Sequence, residues 1–214
     1  MSSHPIKTVA GKRLLYVMAA QAEYGPHLQG RINPLICHVG PVEAGIRVAR
    51  ALAMESAVDL VVSLGSAGSA TLEQAQVYQV SQVSYRDMDA SPLGFEPGVT
   101  PFLDCPASIS LICPLDDIPS ATLATGASIV SGDAYAAIAA DMVDMESYAI
   151  TRACMEADVP MIGLRGISDG AYPLEELSDW TRYLEVIDER LAAVLDRLEA
   201  KLAADGAGPV ENGQ

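Results

Sequence analysis

The chain has 214 residues, half of them apolar, which is enough for one substantial core and short for two domains. Its 28 acidic residues against 13 basic ones give a formal net charge of -15. That balance argues against a nucleic-acid binder, which needs a basic face for phosphates, and against attachment to an anionic membrane surface. No apolar stretch is long and uninterrupted enough to read as a membrane span.

In chain order, Lys7, Lys12 and Arg13 precede the apolar run Leu14 to Ala20, an arrangement that imitates a secretion signal. The run is minimal in length for that role, and it reads as a first buried strand. Further strands are predicted at Pro34 to Val39, Val58 to Leu64, Val77 to Tyr85, Ala127 to Ser131 and Met161 to Ile167. Several lack polar alternation, as expected of strands covered on both faces. Val42 to Glu55, Ala-rich and free of proline, reads as a helix, as does Met145 to Ala157. Pro92 to Pro119 holds several prolines and reads as a loop-rich excursion over the sheet. From Ser178, taken as a capping residue, Trp180, Tyr183, Leu184, Ile187, Leu191, Leu195, Leu198 and Leu202 recur at helical spacing, most simply as core packing. After Leu202 the chain turns small and polar, so the domain is set at residues 1–204, with 205–214 as a disordered tail.

Cys37, Cys105, Cys113 and Cys154 form no CxxC pair and do not cluster with the three histidines. They read as reduced, buried thiols of a cytoplasmic protein, and no metal site is expected. The small-residue run Ser63-Leu64-Gly65-Ser66-Ala67-Gly68-Ser69 ends a predicted strand and would let a ligand approach the backbone. It matches neither a dinucleotide fingerprint nor a P-loop, and it lacks the Gly-x-Ser-x-Gly spacing of a nucleophile elbow. A tight turn without ligand would look the same. More informative are Val143-Asp144-Met145-Glu146-Ser147-Tyr148-Ala149 and Arg165-Gly166-Ile167-Ser168-Asp169-Gly170. Both put carboxylates at the ends of apolar segments, where an α/β sheet delivers side chains into a ligand crevice.

Taken together, these blocks resemble the nucleoside phosphorylase and nucleosidase superfamily, and within it most closely the 5'-methylthioadenosine/S-adenosylhomocysteine nucleosidases. The resemblance runs from about Leu14 to Leu202. Ala19-Ala20-Gln21-Ala22-Glu23 is similar to the family's first strand end, with its glutamate near the attacking water. Leu64-Gly65-Ser66-Ala67-Gly68 is similar to the turn under the sugar and base, and Val130-Ser131-Gly132-Asp133-Ala134-Tyr135 to the block that lays an aromatic ring over the purine. Asp144-Met145-Glu146 resembles the ribose-binding Glu-Met-Glu, and Arg165-Gly166-Ile167-Ser168-Asp169 the Arg-Ala-Ile-Ser-Asp that reaches the base.

The resemblance implies a catalytic trio and a binding set. Breaking a ribosyl C–N bond creates an oxocarbenium-like sugar and leaves negative charge on the purine, so the base must be protonated and water activated. Asp169 is expected to be the general acid toward purine N7, oriented by Ser168. Glu146 is expected on the ribose 2' and 3' hydroxyls, where a plain helix N-terminal acid is the alternative. Glu23 is expected to orient the water. Ser66, Ala67 and Gly68 would lie under the sugar and base, Tyr135 would stack on the purine, and the Ala136 backbone would read its edge. Met145 would pack against the sugar, and Arg165 would pair with a carboxylate such as Glu146. A core tyrosine, a filler methionine and a surface salt bridge are the plainer alternatives for Tyr135, Met145 and Arg165.

The chain also departs from that pattern. Between Glu23 and Gly40 it is shorter, as if a hairpin were lost; Ala20 stands where the family often has a methionine near the substrate, and Ala90 and Leu93 where larger apolar residues often line the 5' pocket. Futalosine or another nucleoside is therefore an alternative to 5'-methylthioadenosine or S-adenosylhomocysteine. The related phosphorylases carry a phosphate-binding arginine three residues before the serine of the Gly-Ser turn; here that position is Ser63, and neither Arg31 nor Arg47 fits such a block. The expectation is a single α/β domain with a central mixed, partly closed sheet flanked by helices. It would act as a cofactor-free purine nucleoside N-ribosyl hydrolase of methionine salvage. A homodimer is implied by the resemblance; a phosphorylase, or a nucleoside-binding protein without catalysis, is the competing reading.

Overall fold

The computed structural model describes residues 6–55, 57–170 and 175–206. Nine strands form one mixed sheet. β1 (Ile6–Val9) is an antiparallel edge strand on β2 (Lys12–Met18), and β2 runs parallel to the two-residue β3 (Leu35–Ile36) and to β4 (Leu60–Gly68). From β4 the sheet closes into a ring of β8 (Met142–Asp144), β7 (Ser120–Thr125), β5 (Val77–Tyr85) and β9 (Met161–Asp169), which returns to β4. β6 (Ser108–Ser110) extends β5 outside the ring. The closure agrees with the sheet expected from the sequence.

The strands at the heart of the sheet are those without polar alternation. β4 has eight of nine residues buried and β9 the same, because both faces of this strand pair are covered. On one face lie α1 (Pro26–Gln29) and α5 (Leu184–Gly206), with Leu191, Leu195 and Leu198 fully buried against Leu14, Tyr16, Leu64 and Leu164. On the other lie α2 (Pro41–Met54) and α3 (Ser147–Glu156), packing Ala44, Val48, Ala51 and Ile150 on Leu15, Val17 and Val61. A third cluster joins ring strands through Ala67, Val80, Leu123, Met142 and Ile167. Burying several such aliphatic side chains, each worth roughly 1.5–3 kcal/mol, makes this helix-covered sheet a stiff platform.

Some expectations are corrected. Ala127 to Ser131 contains no strand; the ring strands on either side of it are β7 and β8, which the sequence reading did not identify. Only Leu35–Ile36 of the Pro34 to Val39 run pairs as a strand. The C-terminal helix is two pieces, α4 (Leu177–Thr181) and α5, broken at Arg182 and Tyr183. Ser178 does not cap it; Asp179 Oδ2 instead accepts the Glu175 and Glu176 N–H groups at 2.9 and 3.0 Å. α5 continues to Gly206, past the start assigned to the tail, and 207–214 lie outside the described residues. Among the described residues no helix is long and apolar enough to cross a membrane.

Candidate active site

The carboxyl ends of β2, β4, β8 and β9 open on a cavity of about 510 Å³. Glu23, Ser66, Ala67, Gly68, Met145, Glu146, Ser168 and Asp169 all line it, so eight of the residues singled out from sequence converge on one space. Their convergence follows from the topology: β2, β4 and β9 run parallel and deliver their last residues to the same edge, and β8 meets the end of β4 antiparallel, with Val143 opposite Gly68.

Glu23 sits in a 3₁₀ turn, Gln21–Glu23, directly after β2. Its Oε1 accepts both the N–H and the hydroxyl of Ser66, each at 2.7 Å, and Oε2 accepts the Ala20 N–H at 3.2 Å. Ser66 Oγ in turn accepts the Trp180 indole N–H at 3.0 Å. The run expected as a turn is thus the end of β4, and its serine faces Glu23. At Gly68 a Cβ would meet the Tyr135 hydroxyl and the Asp169 carboxylate, so a larger residue would displace these two side chains.

Glu146 lies between β8 and α3, and Gly40, at φ 100° ahead of α2, donates its N–H to Oε1 at 2.8 Å. This leaves Oε2 without a protein partner among the described residues. Burial first, then the neighbouring Asp144 charge, push the Glu146 pKa up to about 8, against the Gly40 hydrogen bond and the Arg165 charge. Asp169, the last residue of β9, receives the Ser168 hydroxyl on Oδ2 at 2.6 Å and the Tyr135 hydroxyl on Oδ1 at 3.4 Å. Burial raises its pKa, and those two hydrogen bonds oppose the rise.

Three expected site residues are placed elsewhere. Arg165 does not pair with Glu146: it is buried under the site, with Nη2 and Nε at 3.1 and 3.2 Å from Asp144 Oδ2 and Nη2 donating to Ser147 Oγ and Ser63 Oγ. The reason is geometric, since Arg165 lies within β9, opposite Gly65 of β4 and short of the strand end that carries Asp169, and its guanidinium reaches Asp144 and Ser147 at the start of α3. Tyr135, in the 3₁₀ turn Gly132–Ala137, does not line the cavity wall but reaches it through its hydroxyl on Asp169. Ala136 is exposed and off the wall. Ala20, expected near the substrate, lines the cavity, whereas Ala90 and Leu93, expected at the 5' pocket, do not.

The cavity also holds residues that the sequence reading did not assign. Asp144 ends β8 and Arg86 follows the end of β5, so the strand-end argument that singled out Glu146 and Asp169 would have found both. Trp180, read as core stripe, lines the cavity from α4, and nothing in its helical spacing distinguishes it from its neighbours. Among the described residues no group of three His, Cys, Asp or Glu side chains could hold a metal ion.

Comparison with known proteins places this geometry. A futalosine hydrolase mutant of Helicobacter pylori superimposes with a TM-score of 0.76 at 19% identity, over 88% of this chain and 98% of that one. A 5'-methylthioadenosine/S-adenosylhomocysteine nucleosidase of Colwellia psychrerythraea in complex with adenine gives 0.76 at 20% identity, covering 92% and 97%. One from Borrelia burgdorferi, described as putative and bound to adenine, gives 0.75 at 18% identity, covering 86% and 98%. At such identities the likeness is one of fold. The family model of the phosphorylase superfamily, however, matches residues 8–200, and a closed mixed sheet with three carboxylates at its carboxyl edge stands behind that match: the chain belongs to the phosphorylase superfamily.

Proposed function

We propose that the protein is a purine nucleoside N-ribosyl hydrolase. The observation that carries this reading is the different wiring of three carboxylates on one cavity. Asp169 has a raised pKa and only hydroxyl donors, Glu23 is gripped by two N–H groups and Ser66, and Glu146 is held by Gly40 alone.

In this reading protonated Asp169 donates to purine N7 as the C1'–N9 bond breaks, so the departing electron pair goes to a neutral base. Glu146 accepts the ribose hydroxyls through Oε2 and, in its ionised form, favours the positive charge growing on the sugar. Glu23 Oε2, with one protein donor against two on Oε1, has capacity left to receive a water and take its proton as the oxygen adds to C1'. Free ribose and base leave. Water is favoured over phosphate because Ser63, at the phosphorylase arginine position, is buried and accepts Arg165. Arg86 is the one cation on the cavity wall among the described residues, and it is the observation that favours phosphorolysis as the second reading.

The sequence resemblance favours 5'-methylthioadenosine and S-adenosylhomocysteine, with adenine as product in cytoplasmic methionine salvage, and leaves futalosine as an alternative. A homodimer belongs to the same reading. Val39, Val42 and Ile46 form an exposed apolar strip at the start of α2, beside the cavity that Val39 also lines. Incubation with 5'-methylthioadenosine, S-adenosylhomocysteine, adenosine, inosine and futalosine, followed by chromatography of the bases, tests the assignment; release of no base from any of them contradicts it.

A further inference from the structure

We propose that Arg86 reads the purine edge beside Asp169 and selects 6-oxopurine nucleosides, the hypoxanthine class, over 6-aminopurine nucleosides. This rests on the nucleosidase reading and deepens it by naming the base.

Arg86 directly follows β5, and its guanidinium is fixed where it lies. Nη1 donates to Ser128 Oγ at 3.0 Å and to Asp87 Oδ1 at 3.3 Å, and Nη2 donates to the Ser128 carbonyl. The group packs so closely on Gly126 that a Cβ there would collide with it. Its side chain is 14% exposed, and it lines the cavity together with Ser128, Ile129 and Val130. Nε is buried without a hydrogen-bond partner. The bonds to Ser128 and Asp87 leave one Nη2 N–H over in a side chain largely withdrawn from solvent, where an unmet donor is costly, whereas the buried Nε does not open on the cavity.

Arg86 belongs to the Asp169 end of the cavity. Ser128, its chief partner, leads directly into Ile129 and Val130 of the wall. The Tyr135 hydroxyl that touches Asp169 also feels the Arg86 charge: burial first and then Asp169 raise the phenol's pKa, and Arg86 opposes them.

A guanidinium carries five N–H donors and no acceptor. On a 6-oxopurine, N7 and O6 are adjacent acceptors, whereas a 6-aminopurine offers N7 beside an N–H₂ donor. With Asp169 donating to N7, the next position along the edge must be an acceptor if it faces Arg86. An amino group there would set donor against donor beside a largely buried cation, the kind of mismatch that a binding site rejects strongly. While the C1'–N9 bond breaks and before the Asp169 proton is fully on N7, the same cation would stabilise negative charge spreading onto O6. This moves the favoured substrate away from adenine nucleosides and toward inosine-type ones.

The test is equilibrium binding of hypoxanthine and adenine to the full chain, for the wild type, Arg86→Gln and Arg86→Lys, with inosine and adenosine turnover in parallel. Hypoxanthine should bind the wild type on the order of 10-fold tighter or more, the worth of one good edge contact. Arg86→Gln, whose amide can offer either a donor or an acceptor, should bring the two bases within about threefold. Arg86→Lys should keep part of the preference. Equal or tighter adenine binding by the wild type, a preference unchanged in both variants, or binding of neither base would each overturn the assignment. The wild-type comparison decides even if a variant fails to fold. A hypoxanthine preference abolished by Arg86→Gln, in a protein that hydrolyses no nucleoside, would sustain the base-edge role and defeat the nucleosidase reading instead.

Discussion

Arg165 and Asp144 form an ion pair closed to solvent on both sides, with side chains 3% and 2% exposed and Nη2 at 3.1 Å from Oδ2. Asp144 is also the anchor for the start of α3. It accepts the Ser147 N–H at 3.0 Å and hydroxyl at 2.6 Å, the Glu146 N–H at 3.3 Å, and the Thr125 hydroxyl at 2.7 Å. Arg165 therefore acts on Glu146 through Asp144, holding the backbone from which the cavity-facing carboxylate projects.

Arg165→Met should consequently destabilise the fold by about 3–5 kcal/mol, because it leaves Asp144 buried without its countercharge. Urea unfolding at neutral pH measures this. A loss within the scatter of surface substitutions would show that the pair is not structural. Arg165→Met combined with Asp144→Leu should recover part of the loss, since an apolar pair removes the uncompensated charge.

Glu146 makes stability depend on pH in a direction opposite to that of a salt-bridged acid. Its pKa is raised from 4.5 to about 8 by burial and the Asp144 charge, so above pH 4.5 the unfolded chain releases a proton that the folded chain keeps. The unfolded state then binds fewer protons, and stability falls as pH rises from about 4.5 to about 8, levelling off above. Asp169 adds a slope of the same sign. Urea unfolding across this window should show a shallower decline for Glu146→Gln than for the wild type. Parallel profiles would remove Glu146 as the titrating group.

Asp169→Asn keeps the shape of the general acid and removes its proton. Turnover should fall on the order of 100-fold or more, with substrate binding affected less. Because only the protonated form of Asp169 donates, wild-type turnover should decline as pH rises through its raised pKa, and the variant should lose that limb. A variant of nearly full activity would take Asp169 out of the mechanism.

Glu146→Gln and Glu23→Gln should separate the sugar from the water. With Glu146 on the ribose hydroxyls, its variant should penalise ribosides strongly and 2'-deoxyribosides less. With Glu23 on the water, its variant should slow both by similar factors, while an unreactive nucleoside analogue still binds. If Glu23→Gln abolished analogue binding and left the rate per bound substrate intact, Glu23 would instead hold the pocket together. Its bonds to Ser66 and Ala20 make that outcome physically concrete.

What was legible in the sequence followed burial. Val77–Tyr85 is the predicted strand to the residue, the β4–β9 pair falls where unbroken apolar runs placed it, and α2 where an Ala-rich, proline-free segment did. β7 and β8 escaped because Ser120–Thr125 is built of small residues without a long apolar run, and Met142–Asp144 is only three residues long. Glu23, Glu146 and Asp169 could be found because strand ends and ordered blocks mark them. Arg165 was expected on a carboxylate such as Glu146 and its partner is Asp144, because sequence spacing does not distinguish carboxylates two residues apart. Arg86 was passed over although it directly follows the end of β5, and Trp180 reaches the cavity through the break before α5, which periodicity does not encode.

The identity of the sugar product tests the central claim most directly. The wild-type protein is incubated with a cleavable purine nucleoside, with and without inorganic phosphate, and the sugar is identified by chromatography. Hydrolysis assisted by Glu23, with Ser63 locked beneath Arg165, predicts free ribose and a rate that does not depend on phosphate. Ribose 1-phosphate, formed only when phosphate is present, would contradict it and assign Arg86 to the anion.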